Sequence, residues 1–251
     1  MAGHSKWSTI KRKKGALDAK RSKMFSRIVK EIIVSIKEGG SDPEGNARLR
    51  MAINNAKGVN MPKDNIQRAI NKAEKGDEDL QEMTFEGYGP EGVPIFVECL
   101  TDNNNRTVGA IRALFTKRGG SLGTNGSLSF LFDRKGVFTI LKEMVNIELD
   151  ELELELIDVG AEEIEEEEET YVIYCPMTEF GAMQKKLDEM NIEVENASLQ
   201  RIPNDYKVLE PEAAQKVLRL IDEFEDNDDV QNVYHNIEMT DELLKALEEA
   251  D

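Results

Sequence analysis

Histidine, cysteine and tryptophan are scarce: two histidines, two cysteines and one tryptophan among 251 residues. Cys99 and Cys175 are too few for a disulfide scaffold, and no CxxC pair is present. Both are expected as reduced thiols inside strands. A Cys2His2 zinc site would have to gather both cysteines with His4 and His235, at none of the usual close spacings. The same scarcity argues against a Cys–His or Ser–His nucleophilic pair. No window approaches 18 uncharged apolar residues, so no membrane helix is expected. The opening Met-Ala-Gly-His-Ser-Lys-Trp has no apolar signal core, which reads as a cytoplasmic protein. Gly119 to Gly126 is rich in glycine but lacks the GxxxxGK[ST] spacing of a nucleotide loop. No EF-hand pattern accompanies the acidic stretches. The expectation is therefore a protein with no cofactor, no metal site and no catalytic residues. A metal-dependent nuclease would need carboxylates such as Glu98, Asp102 and Asp133 to converge.

What the chain does have is charge, and it is split. The formal net charge is −18. Residues 1–75 nevertheless hold 18 Lys and Arg against 7 Asp and Glu, whereas residues 76–251 hold 14 against 43. An acidic surface serves solubility, but a clustered positive end points to a polyanion partner. Residues 143–184 contain no Lys or Arg, and Glu165 to Glu169 are consecutive. The plain reading of that run is a solvated face that avoids phosphates. It also suits contact with basic proteins.

Apolar periodicity sets the expected architecture. Residues 6–15 form a basic arm. A helix over 16–37 places Met24, Phe25, Ile28, Val29, Ile32, Ile33 and Ile36 on a core stripe, with Lys20, Lys23, Arg27 and Lys30 opposite. Gly39-Gly40 ends it, and Asp42-Pro43 is expected to cap a second helix that stops near Gly58. Pro62 opens a third, closed by Gly76, whose Lys63, Arg68, Lys72 and Lys75 can face solvent. Beyond the acidic shift at 76–79 the period changes. Strands are expected at 84–88, 93–100, 127–132 and 136–141, then near 162–166, 170–175, 192–202, 205–209 and 229–236. Helices are expected at 103–118, capped by Asp102, and at 147–159, 177–190, 211–225 and 240–249. The stretch from 136 to 202 reads β-α-β-β-α-β, the order of a ferredoxin-like module, and the flanking halves joined together give the same order again. The expected fold is thus multi-domain: an N-terminal three-helix bundle with its arm (1–76), then a discontinuous α+β domain (77–133 plus 204–251) with an acidic ferredoxin-like α+β domain (134–203) inserted in it.

Four separated motifs carry a resemblance to a known family. Met1 to Trp7 with Ile10-Lys11-Arg12-Lys13-Lys14 resembles the opening of the YebC family. So do Gly87-Tyr88-Gly89-Pro90 running to Thr101-Asp102-Asn103-Asn104-Asn105-Arg106-Thr107, then Gly119-Gly120-Ser121-Leu122-Gly123, and Gln231-Asn232-Val233-Tyr234-His235-Asn236. Pro94 and Ser121 depart from the pattern, where alanine and asparagine would be expected. The resemblance spans essentially the whole chain and implies three domains. It also implies two functional labels: a DNA-binding transcriptional regulator, the usual name for bacterial members, or a translation factor, as for the mitochondrial activator of cytochrome oxidase and for bacterial members tied to ribosomes stalled on proline runs.

Residue chemistry weighs these labels. The expected nucleic-acid contacts are Lys6, Trp7, Lys11, Arg12, Lys13, Lys14, Lys20, Lys23, Arg27 and Lys30. Lysine is a point charge suited to phosphate oxygens, whereas Arg, Asn and Gln are the usual base readers. A lysine-rich end with no coiled-coil dimer signal leans toward a monomer that tracks ribosomal RNA and touches ribosomal proteins through its acidic modules. DNA is the alternative target. Trp7 is suited to stacking on a base or to pinning the arm to its own domain. Asn103 to Arg106 reads either as a polar recognition patch or as a helix cap.

Overall fold

The computed structural model describes residues 17–76 and 79–249. Three helices open it: α1 (Leu17–Gly39), α2 (Ala47–Gly58) and α3 (Lys63–Lys75). Ile32, Ile36, Leu49, Ala52, Ala56, Met61, Ile66 and Ala69 close their common core, with Phe25, Ile28 and Val29 partly buried against it. Gly40, at φ +82°, stops α1, and Gly76, at φ +69°, stops α3. The start of α2 differs from expectation. Its cap is Asn46, not Asp42. The Asn46 Oδ1 accepts the Leu49 N–H at 3.1 Å, while its Nδ2 donates to the Ser35 and Gly40 carbonyls at 2.7 and 2.8 Å. One buried amide thus ties the end of α1 to the start of α2. Asp42 instead shapes the turn before it, accepting from the Glu44 N–H at 3.0 Å.

The first sheet contains β1 (Gln81–Tyr88), β2 (Pro94–Thr101), β3 (Ser121–Leu122) and β8 (Val230–His235), in the order β3-β1-β2-β8. β1 and β2 form an antiparallel hairpin from Gln81↔Thr101 to Tyr88↔Pro94. Helices α4 (Asn104–Lys117) and α7 (Pro211–Asp226) cover one face. There Phe85, Ile95, Val97, Cys99, Ile111, Phe115, Leu218, Leu220, Ile221, Phe224, Val230 and Val233 share one core. Phe115 and Phe224 meet at 4.8 Å between ring centroids. Burying a side chain of this kind contributes about 1.5–3 kcal/mol. The last helix, α8 (Asp241–Glu249), adds Leu243 to the same core.

The second sheet contains β4 (Phe132–Leu141), β5 (Glu163–Glu166), β6 (Thr170–Pro176) and β7 (Val194–Pro203), in the order β5-β6-β4-β7. The connection from β4 to β5 passes over β6, and that from β6 to β7 passes over β4. Helices α5 (Leu149–Ile157) and α6 (Phe180–Glu189) make these crossovers. They bury Leu152, Leu156, Met183 and Leu187 against Phe138, Ile140, Ile173 and Cys175.

Two expected strands are not formed. Residues 127–132 make a tight helical turn at Ser129–Leu131, and β4 begins only at Phe132. The Leu128 N–H here finds a carboxylate, as described below, and Ser127, Ser129 and Leu131 donate to carbonyls of their own loop instead of a neighbouring strand. Residues 205–209 reach only a single parallel bridge, Lys207↔Ile237. The two-residue β3 was not foreseen. The outer segments therefore do not repeat the β-α-β-β-α-β order; they run β-β-α-β and then α-β.

The chain divides into two compact units. One holds Asp79–Asp133 and the chain from Ile202 onward, with the described residues ahead of Met24. The other holds residues 24–76 and Arg134–Arg201. Within this second unit α2 meets the open edge of β7. Asn55 Nδ2 donates to the Ala197 carbonyl at 2.7 Å, and the Ala197 N–H donates to Asn55 Oδ1 at 2.8 Å. A side-chain amide thereby stands in for the peptide of a further strand.

Candidate nucleic-acid interface

Of the ten expected contacts, Lys6, Trp7, Lys11, Arg12, Lys13 and Lys14 lie outside the described residues. Lys20, Lys23, Arg27 and Lys30 are all on α1. Arg27 and Lys30 are half-buried. Lys23 Nζ pairs with Asp226 Oδ1 at 2.5 Å, the lysine side chain being 37% exposed and the aspartate 79%. Such a surface pair is worth at most about 1 kcal/mol and yields readily to a competing anion. Two arginines of the helical region hold the bundle together. Arg48 donates through Nε to Glu31 at 2.7 Å and through Nη1 to Glu38 at 2.6 Å. Arg50 closes the 42–46 turn by donating to the Pro43 and Glu44 carbonyls at 3.0 and 2.8 Å. The cations of α3 differ: Lys63, Arg68, Lys72 and Lys75 are all exposed.

The Thr101-to-Thr107 motif is engaged internally. Asn103 caps α4, accepting the Arg106 N–H at 3.1 Å, where Asp102 was expected to do so. Arg106 Nη2 donates to Asp229 Oδ1 at 2.9 Å and to Asp102 Oδ1 at 2.7 Å. Thr107 Oγ1 donates to Asp229 Oδ2 at 2.8 Å. Hydrogen bonding to Asp229 and then Asp102 raises the Arg106 pKa above its ordinary value. The motif thus stitches the start of α4 to the buried carboxylate just ahead of β8.

The glycine motifs have a geometric cause. β3 lies so close to β1 that a Cβ on Gly87 would stand 2.5 Å from the Ser121 carbonyl oxygen, and one on Gly120 2.5 Å from that of Tyr88. Contacts this short exclude any side chain. Glu86 then organises the loop that follows. Its Oε1 accepts the Gly126 N–H and its Oε2 the Leu128 N–H, each at 2.6 Å, and its backbone carbonyl accepts the Gly123 N–H at 2.7 Å. Three loop donors that a phosphate cradle would need already have partners, which removes the nucleotide-loop reading on chemical grounds. Sequence reasoning missed Glu86, because alternation along β1 points it away from the helix-covered core. The available signal was the pair Leu128 and Phe132, which needs the second face of the sheet as its cover. There Leu128 and Phe132 pack with Phe96 and Tyr234.

On the acidic sheet several of the cations meet carboxylates. Lys135 meets Glu162 at 2.9 Å, Lys142 meets Glu166 at 2.7 Å, and Lys186 pairs with Glu155. The hydrogen bond from Lys186 to Glu155 raises that lysine's pKa. Cys175 is buried, and loss of solvation, reinforced by Glu162 and Glu179, pushes its thiol up to about 11. No three His, Cys, Asp or Glu side chains gather as a metal site among the described residues. Glu98 is occupied by Asn232 Nδ2 at 3.1 Å and Asp102 by Arg106.

Helices at the N-terminal end, followed by two antiparallel sheets each backed by helices, define a multi-domain α+β protein. Residues 5–76 match the family model described as the TACO1/YebC protein N-terminal domain, and residues 80–237 match that described as the TACO1/YebC second and third domain. The chain belongs to the TACO1/YebC family. A relative from Amoebophilus asiaticus, named "Probable transcriptional regulatory protein", is 53% identical over 240 residues, covering 94% of this chain and 98% of its own. One from Geobacillus kaustophilus with the same style of name is 48% identical, covering 95% and 98%. A solved structure, a conserved hypothetical protein from Aquifex aeolicus, superposes with a TM-score of 0.82 at 40% identity, covering 91% of this chain and 95% of its own. No helix among the described residues is long and apolar enough to cross a membrane.

Proposed function

We propose that this protein is a non-enzymatic regulator of gene expression that binds the nucleic-acid backbone through its N-terminal region. The observation that carries the reading is the charge split: 18 cations against 7 acids in residues 1–75, on a chain whose net charge is −18. The arm residues Lys6, Lys11, Arg12, Lys13 and Lys14, with Lys20, Lys23, Arg27 and Lys30 of α1, supply phosphate contacts, and Trp7 a stacking surface. The names of the relatives favour duplex DNA and a transcriptional role over the translational one. A second reading, a ribosome-associated factor that helps translation through proline-rich stretches, rests on residue chemistry. The arm and α1 hold eight lysines against three arginines, and phosphate tracking without base readout suits structured RNA.

Crosslinking in cells followed by sequencing of the recovered nucleic acid separates the two. Recovery of promoter DNA, with a preference of about 10³ or more over arbitrary duplex, supports the transcriptional role. Recovery of ribosomal RNA, with co-sedimentation lost when Lys11 to Lys14 are neutralised, supports the translational one. Recovery of neither refutes nucleic-acid binding. In vitro, about 6 phosphate contacts predict a log–log salt slope of −4 to −5.

A further inference from the structure

The cations of the helical region fall into two groups. Those at the α1–α2 junction serve the fold: Arg48 holds Glu31 and Glu38, and Arg50 holds the Pro43 and Glu44 carbonyls. Those of α3 do not. Lys63, Arg68 and Lys75 are exposed and make no hydrogen bond or ion pair among the described residues, although Asp64 stands one turn before Arg68. The inward side of α3 is fixed by Ile66 and Ala69, with Ile70 and Ala73 beside them. At 100° per residue, Arg68, Lys72 and Lys75 project from the opposite side, within about 60° of one another. Along the axis Arg68 and Lys72 are about 6 Å apart, and Arg68 and Lys75 about 10 Å. Gln67 and Asn71 lie beside this stripe, joined at 2.9 Å between Nε2 and Oδ1.

We infer that the outer face of α3, centred on Arg68, Lys72 and Lys75, is a second phosphate-contact surface, separate from the arm and α1. The proposal rests on the nucleic-acid-binding reading above and deepens it. An exposed Arg with no acidic partner keeps its donor fork open, which fits a phosphate bidentately. A stripe about 10 Å long is long enough to meet about two phosphates of one strand. The side-chain amides beside it can reach sugar and phosphate oxygens. The helix carries two acids, Asp64 four residues before Arg68 and Glu74 next to Lys75, and Glu74 supplies a control of opposite sign. The occupant is the backbone of a nucleic acid, not an acidic protein, because the surface belongs to the one part of the chain where cations outnumber acids.

The test is fluorescence anisotropy of the full chain with two labelled probes, a 20-bp duplex DNA and the same duplex as RNA, titrated across 50–300 mM salt. Arg68→Gln with Lys75→Gln should weaken binding about 5- to 20-fold at low salt and reduce the magnitude of the log–log salt slope by about 2, at roughly 0.9 per phosphate lost. Glu74→Gln should tighten binding about twofold. Gln is a good helix former, and circular dichroism should show unchanged helix content in both variants. Unchanged affinity and slope in the double variant, while neutralising Lys11 to Lys14 abolishes binding, would overturn the α3 surface and leave the proposed function standing. A wild-type chain that binds neither probe would overturn both. Weakening in the double variant without a change of slope would show a contact other than phosphate and would also refute the proposal.

Discussion

Glu86→Gln is the sharpest single perturbation of the described structure. The carboxylate is buried, and each of its oxygens accepts one backbone N–H at 2.6 Å, from Gly126 and from Leu128. Glutamine has the same shape but only one acceptor oxygen. Whichever way the amide lies, its NH2 faces one of the two backbone donors. That donor is left without a partner, at a cost of about 1–3 kcal/mol. The surviving bond loses its charge assistance, roughly halving its strength and costing about 1 kcal/mol more. The expected loss is therefore about 2–4 kcal/mol in urea unfolding at pH 7. Leu128, which packs on Phe96, Phe132 and Tyr234, is the element held in place. Hydrogen exchange should accelerate at Gly126, Leu128 and their loop neighbours before it does in β2. A loss below about 0.5 kcal/mol, or unchanged exchange at both amides, would refute the view that this carboxylate organises the loop.

Two further outcomes follow from charge and burial. Glu223 is held down to about 2, first by hydrogen bonds from Arg118 and then from Lys117. A carboxyl whose folded pKa lies below its unfolded value stabilises the fold above the unfolded pKa, and that contribution disappears as pH falls from about 4.5 toward 2. Thermal midpoints of Glu223→Gln should therefore lie below wild type at pH 7 and converge with it near pH 2; a gap that does not change with pH would contradict this. Cys175, with its thiol pushed up to about 11, should resist iodoacetamide at pH 8 in the native protein and react at once in denaturant; rapid native labelling would show that the second sheet opens.

Much of the fold was legible because periodicity reports burial directly. Ile32 and Ile36 were expected on the core stripe of the first helix and are buried there. The strand order of the second sheet also follows from its β-α-β-β-α-β pattern. Two of the failures come from side chains that reach farther than local sequence shows, and the third from a missing pairing partner. Asn46 took the cap that Asp42-Pro43 advertised, since its amide also reaches the end of α1. Residues 127–132 have strand composition, yet the Leu128 N–H goes to Glu86, 42 positions away, and its neighbours close local turns. Residues 205–209 have strand composition, but only Lys207 finds a pairing partner. Sequence located the positive region; it could not separate cations that clamp the bundle, such as Arg48, from those such as Arg68 on α3. That distinction depends on where Glu31 and Glu38 fold back.

The amide of Asn55 on the edge of β7 has an electrostatic consequence. It fastens a helical region with open cations to a sheet whose carboxylates outnumber its cations, inside one compact unit. Such a body is a permanent dipole. Near a polyanion it feels a torque as well as an attraction or repulsion, and the torque turns its acidic side away before any contact forms. Orientation would then be chosen by the long-range field and not by base-edge contacts. It would also be lost at high ionic strength, where a Debye length of about 3 Å at 1 M salt is shorter than a single helix is wide.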